Sequence, residues 1–194
     1  MARWPDPILR RPASEVDPYW FGSSTLKSVC QILQDTAQSE GAVGLAAQQC
    51  GLDARIVYVG SPCNLVRSRD TPIVMVNPHI VNRSPETQTR VWDEHCLVLP
   101  PTFVATVLRD DWVDVLYWTW QGGKPRQIRL QGEASRCVQH ELDHDRGILV
   151  TDHVSLEELE SDTMRAVERV GHDRRMALAY SRLLDDRDSL VLFG

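Results

Sequence analysis

Between residues 55 and 130 the chain repeats one pattern, short runs of β-branched and aromatic residues separated by Pro, Asn and Gly, and this limits the fold more than any other feature. The runs at 56–59, 73–76, 103–107 and 112–120 are too short for stable helices. They are rich in the side chains that suit a pleated, half-buried surface. Short strands joined by short connections pair antiparallel, so the middle of the chain is expected to be antiparallel sheet. The segment Gln121-Gly122-Gly123-Lys124-Pro125, between 112–120 and 127–130, reads as a hairpin turn whose glycines supply positive φ angles.

Helical spacing appears on either side of this region. In residues 24–39, Leu26, Val29, Cys30, Leu33 and Ala37 fall on one face, and Gly41 follows as a stop. Residues 133–145 contain neither Pro nor Gly and are closed by Gly147, which predicts a central helix. A last helix is expected to start near Ser155, whose hydroxyl and Glu158 would form a capping box. Leu156, Leu159, Thr163, Val167 and Val170 would share one face of it, with Gly171 breaking or bending it.

These elements make an α+β chain, and 194 residues suffice for one core but not for two ordinary ones. We expect a single domain over residues 1–194, of which 155–194 form a C-terminal helical extension. No apolar run approaches the roughly 18 residues of a membrane span. A net charge of −6 argues against a broad nucleic-acid-binding face. The five cysteines are odd in number and scattered, which fits a reducing compartment better than a disulfide framework. The opening residues lack an apolar signal core, and Pro5, Asp6 and Pro7 stand where an amphipathic transit helix would need helix formers.

The sharpest chemical signal is His140-Glu141-Leu142-Asp143-His144, inside the expected central helix. Residues four apart share a helix face, so both imidazoles can reach one metal ion while Glu141 approaches the water beside it. Two surface histidines on a helix would be the plain alternative, and the motif alone would equally suit a zinc metalloprotease. A catalytic metal needs a third protein ligand and an open position. Cys96 is the candidate, in Asp93-Glu94-His95-Cys96-Leu97-Val98 before the rigid Pro100-Pro101, although a lone cysteine is more often an inert buried side chain. Residues 41–51, Gly-Ala-Val-Gly-Leu-Ala-Ala-Gln-Gln-Cys-Gly, read as a small-residue loop that a ligand can approach closely. Gln49 there is a candidate to point its amide at a developing oxyanion. The loop lacks the Lys-Ser/Thr ending of a phosphate loop, and its plain reading is a tight helix-to-strand connection.

Together the three segments resemble peptide deformylase, in the same order and at similar separations. The first family motif, Gly-x-Gly-Leu-Ala-Ala-x-Gln, matches from Ala42 to Gln49 with Ala42 for its first glycine. The second, Glu-Gly-Cys-Leu-Ser, matches from Glu94 to Val98 with His95 for glycine and Val98 for serine. The third, Gln-His-Glu-x-Asp-His, matches from Gln139 to His144 completely. The resemblance begins at Pro5-Asp6-Pro7-Ile8-Leu9-Arg10 and ends at Gly147-Ile148-Leu149, about three quarters of the chain. Among the departures, Glu133 and Arg136 stand in a stretch that is apolar in the family and lines its methionine pocket. Asp145 replaces a leucine, and Phe103 or Val104 replaces an arginine beyond the cysteine.

The resemblance implies a peptide deformylase-like α+β fold, antiparallel sheets packed around a central metal-binding helix. It implies hydrolysis of the N-formyl group on the N-terminal methionine of new proteins, with formate released. Cys96, His140 and His144 would hold one divalent ion, Fe²⁺ natively, with Zn²⁺, Ni²⁺ or Co²⁺ accepted. Glu141 would carry the proton, Gln49 and the backbone N–H of Leu97 would hold the oxyanion, and Val43, Gly44 and His95 would pair with the peptide backbone. The partners implied are N-formylmethionyl peptides or nascent chains, including at the ribosome, in a bacterial cytoplasm, a mitochondrion or a plastid. Two rivals remain, a divergent, inactive or repurposed relative and a zinc endopeptidase drawing its third ligand from the solvated His153 or His172. Arg136, one turn before His140, is expected near the site, with Glu133 within reach as its carboxylate.

Overall fold

A computed structural model describes residues 1–60, 72–159 and 164–165. Gly122 and Gly123 take φ of 73° and 85°, and the chain between them and their flanks reverses into the expected hairpin. Its arms are β6 (Trp112–Trp118) and β7 (Arg126–Gln131), paired from Trp112 opposite Gln131 to Tyr117 opposite Arg126. With β1 (Gly44–Ala46), β2 (Ile56–Val59) and β3 (Ile73–Arg83) they form an antiparallel five-stranded sheet in the order β1-β2-β3-β6-β7. A separate antiparallel pair joins β4 (Thr89–Glu94) to β5 (Ala105–Asp110).

Two α-helices cover the large sheet. Helix α1 spans Ser24–Ser39, capped by the Ser23 hydroxyl accepting from Leu26 N–H at 3.1 Å. Its Leu26, Cys30, Leu33 and Ala37 pack on Leu45, Ile56, Tyr58 and Val76. Helix α2 spans Glu133–Asp145 and sets Ala134, Cys137, Val138 and Leu142 against Val57, Val59, Met75, Val113 and Val115. Each fully buried Leu or Val in these layers contributes on the order of 2 kcal/mol. Every residue from Cys137 to Asp145 is buried, so the polar members of α2 must find partners inside the protein. A third cluster joins Leu9, Val98, Phe103, Val107, Leu149 and Val150 around Cys96.

Several boundaries differ from expectation. Strand β3 runs on past residue 76 because the register shift between Val76 and His79 absorbs Asn77-Pro78, keeping the proline out of the regular ladder. Asn77 takes φ of 48° and exchanges two hydrogen bonds with the Val16 backbone, at 2.8 and 2.9 Å. Phe103 is a core plug at 1% exposure, not a strand residue, and β5 begins only at Ala105. The supposed loop at 41–51 contains β1 and a 3-10 turn, Ala47–Cys50. Near the C-terminal end, one 3-10 turn (Leu156–Glu158) stands where the last helix was expected to start. Glu158 accepts from Ser155 N–H at 2.7 Å, one half of the capping box. Most of the expected extension lies outside the described residues.

Candidate metal centre

Helix periodicity brings His140 and His144 onto one face of α2, with ring centroids 5.2 Å apart. The turn after β4 delivers Cys96 to the same point, its Sγ 3.2 Å from His144 Nε2. One donor atom from each of Cys96, His140 and His144 lies within 4.8 Å of the others, and all three residues are buried. A tetrahedral ion bound by one thiolate and two imidazoles would hold sulfur and nitrogen about 3.6 Å apart, so the spacing fits such an ion. The protonation chemistry fits as well. Burial pushes the Cys96 thiol up to about 12, and the carboxylates of Glu141 and Glu94 add to a rise that the Val98 backbone only partly offsets. A thiolate here therefore needs a cation beside it. Burial, then the neighbouring His140, lowers His144 to about 3, which keeps the imidazole neutral with its lone pair available.

The arrangement around the histidines was not foreseen. His140 Nδ1 meets Glu94 Oε2 at 2.8 Å, and Glu94 accepts from Arg109 Nε and Nη2 at 2.9 Å each. Arg109 Nη1 donates to Asp143 Oδ2 at 2.5 Å, and His153 Nε2 meets the same oxygen at 2.9 Å. Burial works against the Glu94 carboxylate, but Arg109 and His140 overcome it and hold Glu94 at about 2. Asp143 is likewise held well below its ordinary range by Arg109 and His153 despite burial. The chain of charges fixes His140 with its other nitrogen toward the cluster, the usual way a ligand imidazole is oriented. His144 has no such support, since its Nδ1 lacks a hydrogen-bond partner among the described residues. His153, expected to be solvated, is half-buried on Asp143. A sequence signal for Arg109 did exist, because it shares the inward face of β5 with Ala105 and Val107.

Beside the cluster lies a cavity of about 650 Å³. Every expected site residue except His144 lines it, and His144 sits behind, 2% exposed. Glu141 is buried on its wall, held against Gly44: a Cβ there would lie 2.5 Å from Glu141 Oε1 and 2.6 Å from Cys137 Sγ. Gln49 Oε1 accepts from Ala46 N–H at 2.6 Å, which turns its –NH₂ end the other way. Val43 gives its carbonyl to Gly60 N–H at 2.7 Å. By the alternation of an antiparallel ladder, Gly44 then presents its backbone groups to the edge of β1 away from β2. The Leu97 carbonyl accepts from Arg3, and His95 is exposed on the rim. Arg136 lines the cavity as expected, but its Cζ lies 5.9 Å from the Trp92 ring centroid, and no ion pair to Glu133 forms among the described residues.

A family model described as polypeptide deformylase matches residues 1–160. The chain is 34% identical over 152 residues to peptide deformylase 2 of Xanthomonas campestris pv. campestris, covering 78% of this chain and 84% of that protein. It is 33% identical over 153 residues to the peptide deformylase of Brucella suis biovar 1, covering 78% and 81%. Among solved structures it is similar to the Met-Ala-Ser-bound class I type b peptide deformylase from Acinetobacter baumannii, with TM-score 0.70, 30% identity and 79% and 96% of the two chains covered. The Thermotoga maritima peptide deformylase gives TM-score 0.68 and 30% identity over 80% of this chain and 96% of that one.

Proposed function

The chain belongs to the polypeptide deformylase family, and from that premise we propose that Cys96, His140 and His144 hold one divalent ion while Glu141 moves the protons. The activity is hydrolysis of the N-formyl group from the N-terminal methionine of newly made proteins, releasing formate. The observation that carries the residue assignment is the convergence of one thiol and two imidazoles from separate segments on a point beside the Glu141 cavity. We assign ferrous iron as the native ion, with Zn²⁺, Ni²⁺ or Co²⁺ as substitutes, since a mixed thiolate and imidazole set suits all four.

When bound, the ion supplies Lewis-acid polarisation of water and of the formyl oxygen. Glu141 takes a proton from the attacking water and returns it to the nitrogen of the departing methionine, so that the formamide C–N bond breaks to formate and a free amine. The Gln49 –NH₂ and the Leu97 N–H donate to the formyl oxygen as it gains negative charge. Gly44 offers its backbone to the peptide along the open edge of β1, with Val43 beside it and His95 across the cavity. Glu94 keeps the His140 ring in place, and Arg109 keeps Glu94 charged. N-formylmethionyl peptides, whose deformylated products are of the kind of the Met-Ala-Ser bound in the Acinetobacter enzyme, and nascent chains at the ribosome, are the substrates we assign. Cys30, Cys50, Cys96 and Cys137 are free, in keeping with a reducing compartment, bacterial cytoplasm or organelle. No helix among the described residues is long and apolar enough to cross a membrane. The decisive experiment joins metal analysis to formate release from formyl-Met peptides by anaerobically prepared protein. A protein that holds one ion per chain yet releases no formate would return us to the repurposed relative.

A further inference from the structure

Besides the reacting groups, the cavity is lined by two guanidiniums, those of Arg3 and Arg136. Arg3 reaches in from the N-terminal segment and donates through Nη1 to the Leu97 carbonyl at 2.5 Å, a neutral acceptor and its one hydrogen-bond partner among the described residues. Arg136 is half-buried, rests on Trp92 and has no carboxylate partner among the described residues. Other arginines of this protein behave differently: Arg83, Arg109 and Arg129 each pair with a carboxylate at 2.5 to 2.9 Å. The carboxylates of the cavity do not neutralise these two. Asp93 accepts from the Thr106 hydroxyl at 2.9 Å, Glu133 is exposed to water on the first turn of α2, and Glu141 serves the proton.

Arg136, partly shielded from water, binds a carboxylate better than a peptide amide, through charge and through its paired donors, and the exposed Arg3 adds a second positive charge to the cavity lining. We propose that Arg3 and Arg136 make the cavity selective for formyl peptides that carry a carboxylate within the first residues after the formylated one. This rests on the deformylase reading above. The carboxylate can belong to an acidic side chain or to the C-terminus of a short peptide, and both present the same atoms.

The test compares three substrates of the metal-loaded, full-length protein: formyl-Met-Ala-Ser-amide, formyl-Met-Ala-Ser as the free acid, and formyl-Met-Asp-Ser-amide. At low salt, at least one carboxylate peptide should be used about tenfold better than the neutral amide, through KM and not kcat, and the advantage should shrink at high salt. Preference for the free acid alone assigns the carboxylate to the C-terminus, and preference for the Asp peptide alone assigns it to a side chain. Arg3→Ala and Arg136→Ile should each reduce the acid-to-neutral ratio, read within each variant so that overall activity cancels. Arg136→Lys should keep part of it. Calorimetric binding of the products Met-Ala-Ser, Met-Ala-Ser-amide and Met-Asp-Ser-amide gives the same comparison without turnover. Equal kcat/KM for all three substrates, or a ratio that neither variant changes, overturns the proposal. Failure to release formate from any peptide would refute the deformylase reading instead, and product binding would still decide the selectivity.

Discussion

Replacing Gly44 with alanine should disable the enzyme without emptying its metal site. The added Cβ would stand 2.5 Å from Glu141 Oε1 and 2.9 Å from its Cγ, with Cys137 Sγ at 2.6 Å closing the other side. A relaxed carbon–oxygen contact needs about 3.3 Å, so the carboxylate must move by about 0.8 Å. Displacing a reacting group by about 1 Å costs on the order of 10²-fold in rate, within the range of roughly 10² to 10⁴ that a general base contributes. We therefore expect kcat for formate release to fall about 10²-fold in Gly44→Ala, with metal content unchanged. Overpacking of about 1–3 kcal/mol should lower Tm by roughly 2–12 °C. Adding Cys137→Ala removes the thiol contact but not the one to Glu141, and should restore part of the Tm but not the turnover. Wild-type kcat in metal-loaded Gly44→Ala would mean that Glu141 does not move protons from the position seen here.

Other perturbations separate the roles. Glu141→Gln should retain the ion and lose at least 10²-fold in turnover; activity near that of the parent would end the proposed mechanism. Cys96→Ala should lose stoichiometric metal by elemental analysis, and full retention would reject Cys96 as a ligand. Burial pushes Asp145 up to about 8 from an ordinary 3.8, with Arg55 pulling the other way. Between those values the folded state keeps a proton that the unfolded chain has released, so stability is greatest below the lower value and falls as pH rises toward the upper one. Asp145→Asn should therefore raise Tm more at pH 8 than at pH 5, and a pH-independent effect would contradict this. Arg136→Ile with Glu133→Leu should improve kcat/KM on short neutral formyl-Met peptides, and a decrease would show that these side chains do not limit their entry.

What could be read in advance depended on how local the cause was. Helix α2 was legible to its ends because 133–145 holds no Pro or Gly and Gly147, at φ 69°, stops it. The β6–β7 hairpin was legible from its two glycines. Strand β3 was cut short because Asn77-Pro78 looks like a turn, and only the neighbouring strands show that a bulge absorbs it. Three residues, Gly44 to Ala46, carry too little pattern to announce β1; partnership with β2 makes them a strand. In the candidate site, the shared face of His140 and His144 was legible from their helical spacing, whereas Cys96 was joined to them only through the family resemblance. The line from His140 through Glu94 and Arg109 to Asp143 was not legible, because its members meet only after β4, β5 and α2 have packed.

The first few residues have a bearing on how the molecule is built in time. Ala2 N–H donates to Gln49 O at 2.7 Å and Trp4 N–H to Val98 O at 2.8 Å, so one short stretch stitches together the two loops that hold the proposed oxyanion donors. Arg3 to Leu97 spans 94 positions of sequence, a loop whose closure costs on the order of 4 kcal/mol in chain entropy. Contacts of such range form after local hairpins and helices. On a ribosome, residues 2–4 must therefore wait for residues made much later before the cavity is complete. The cavity of this enzyme is thus closed by a contact between residues synthesised 94 positions apart.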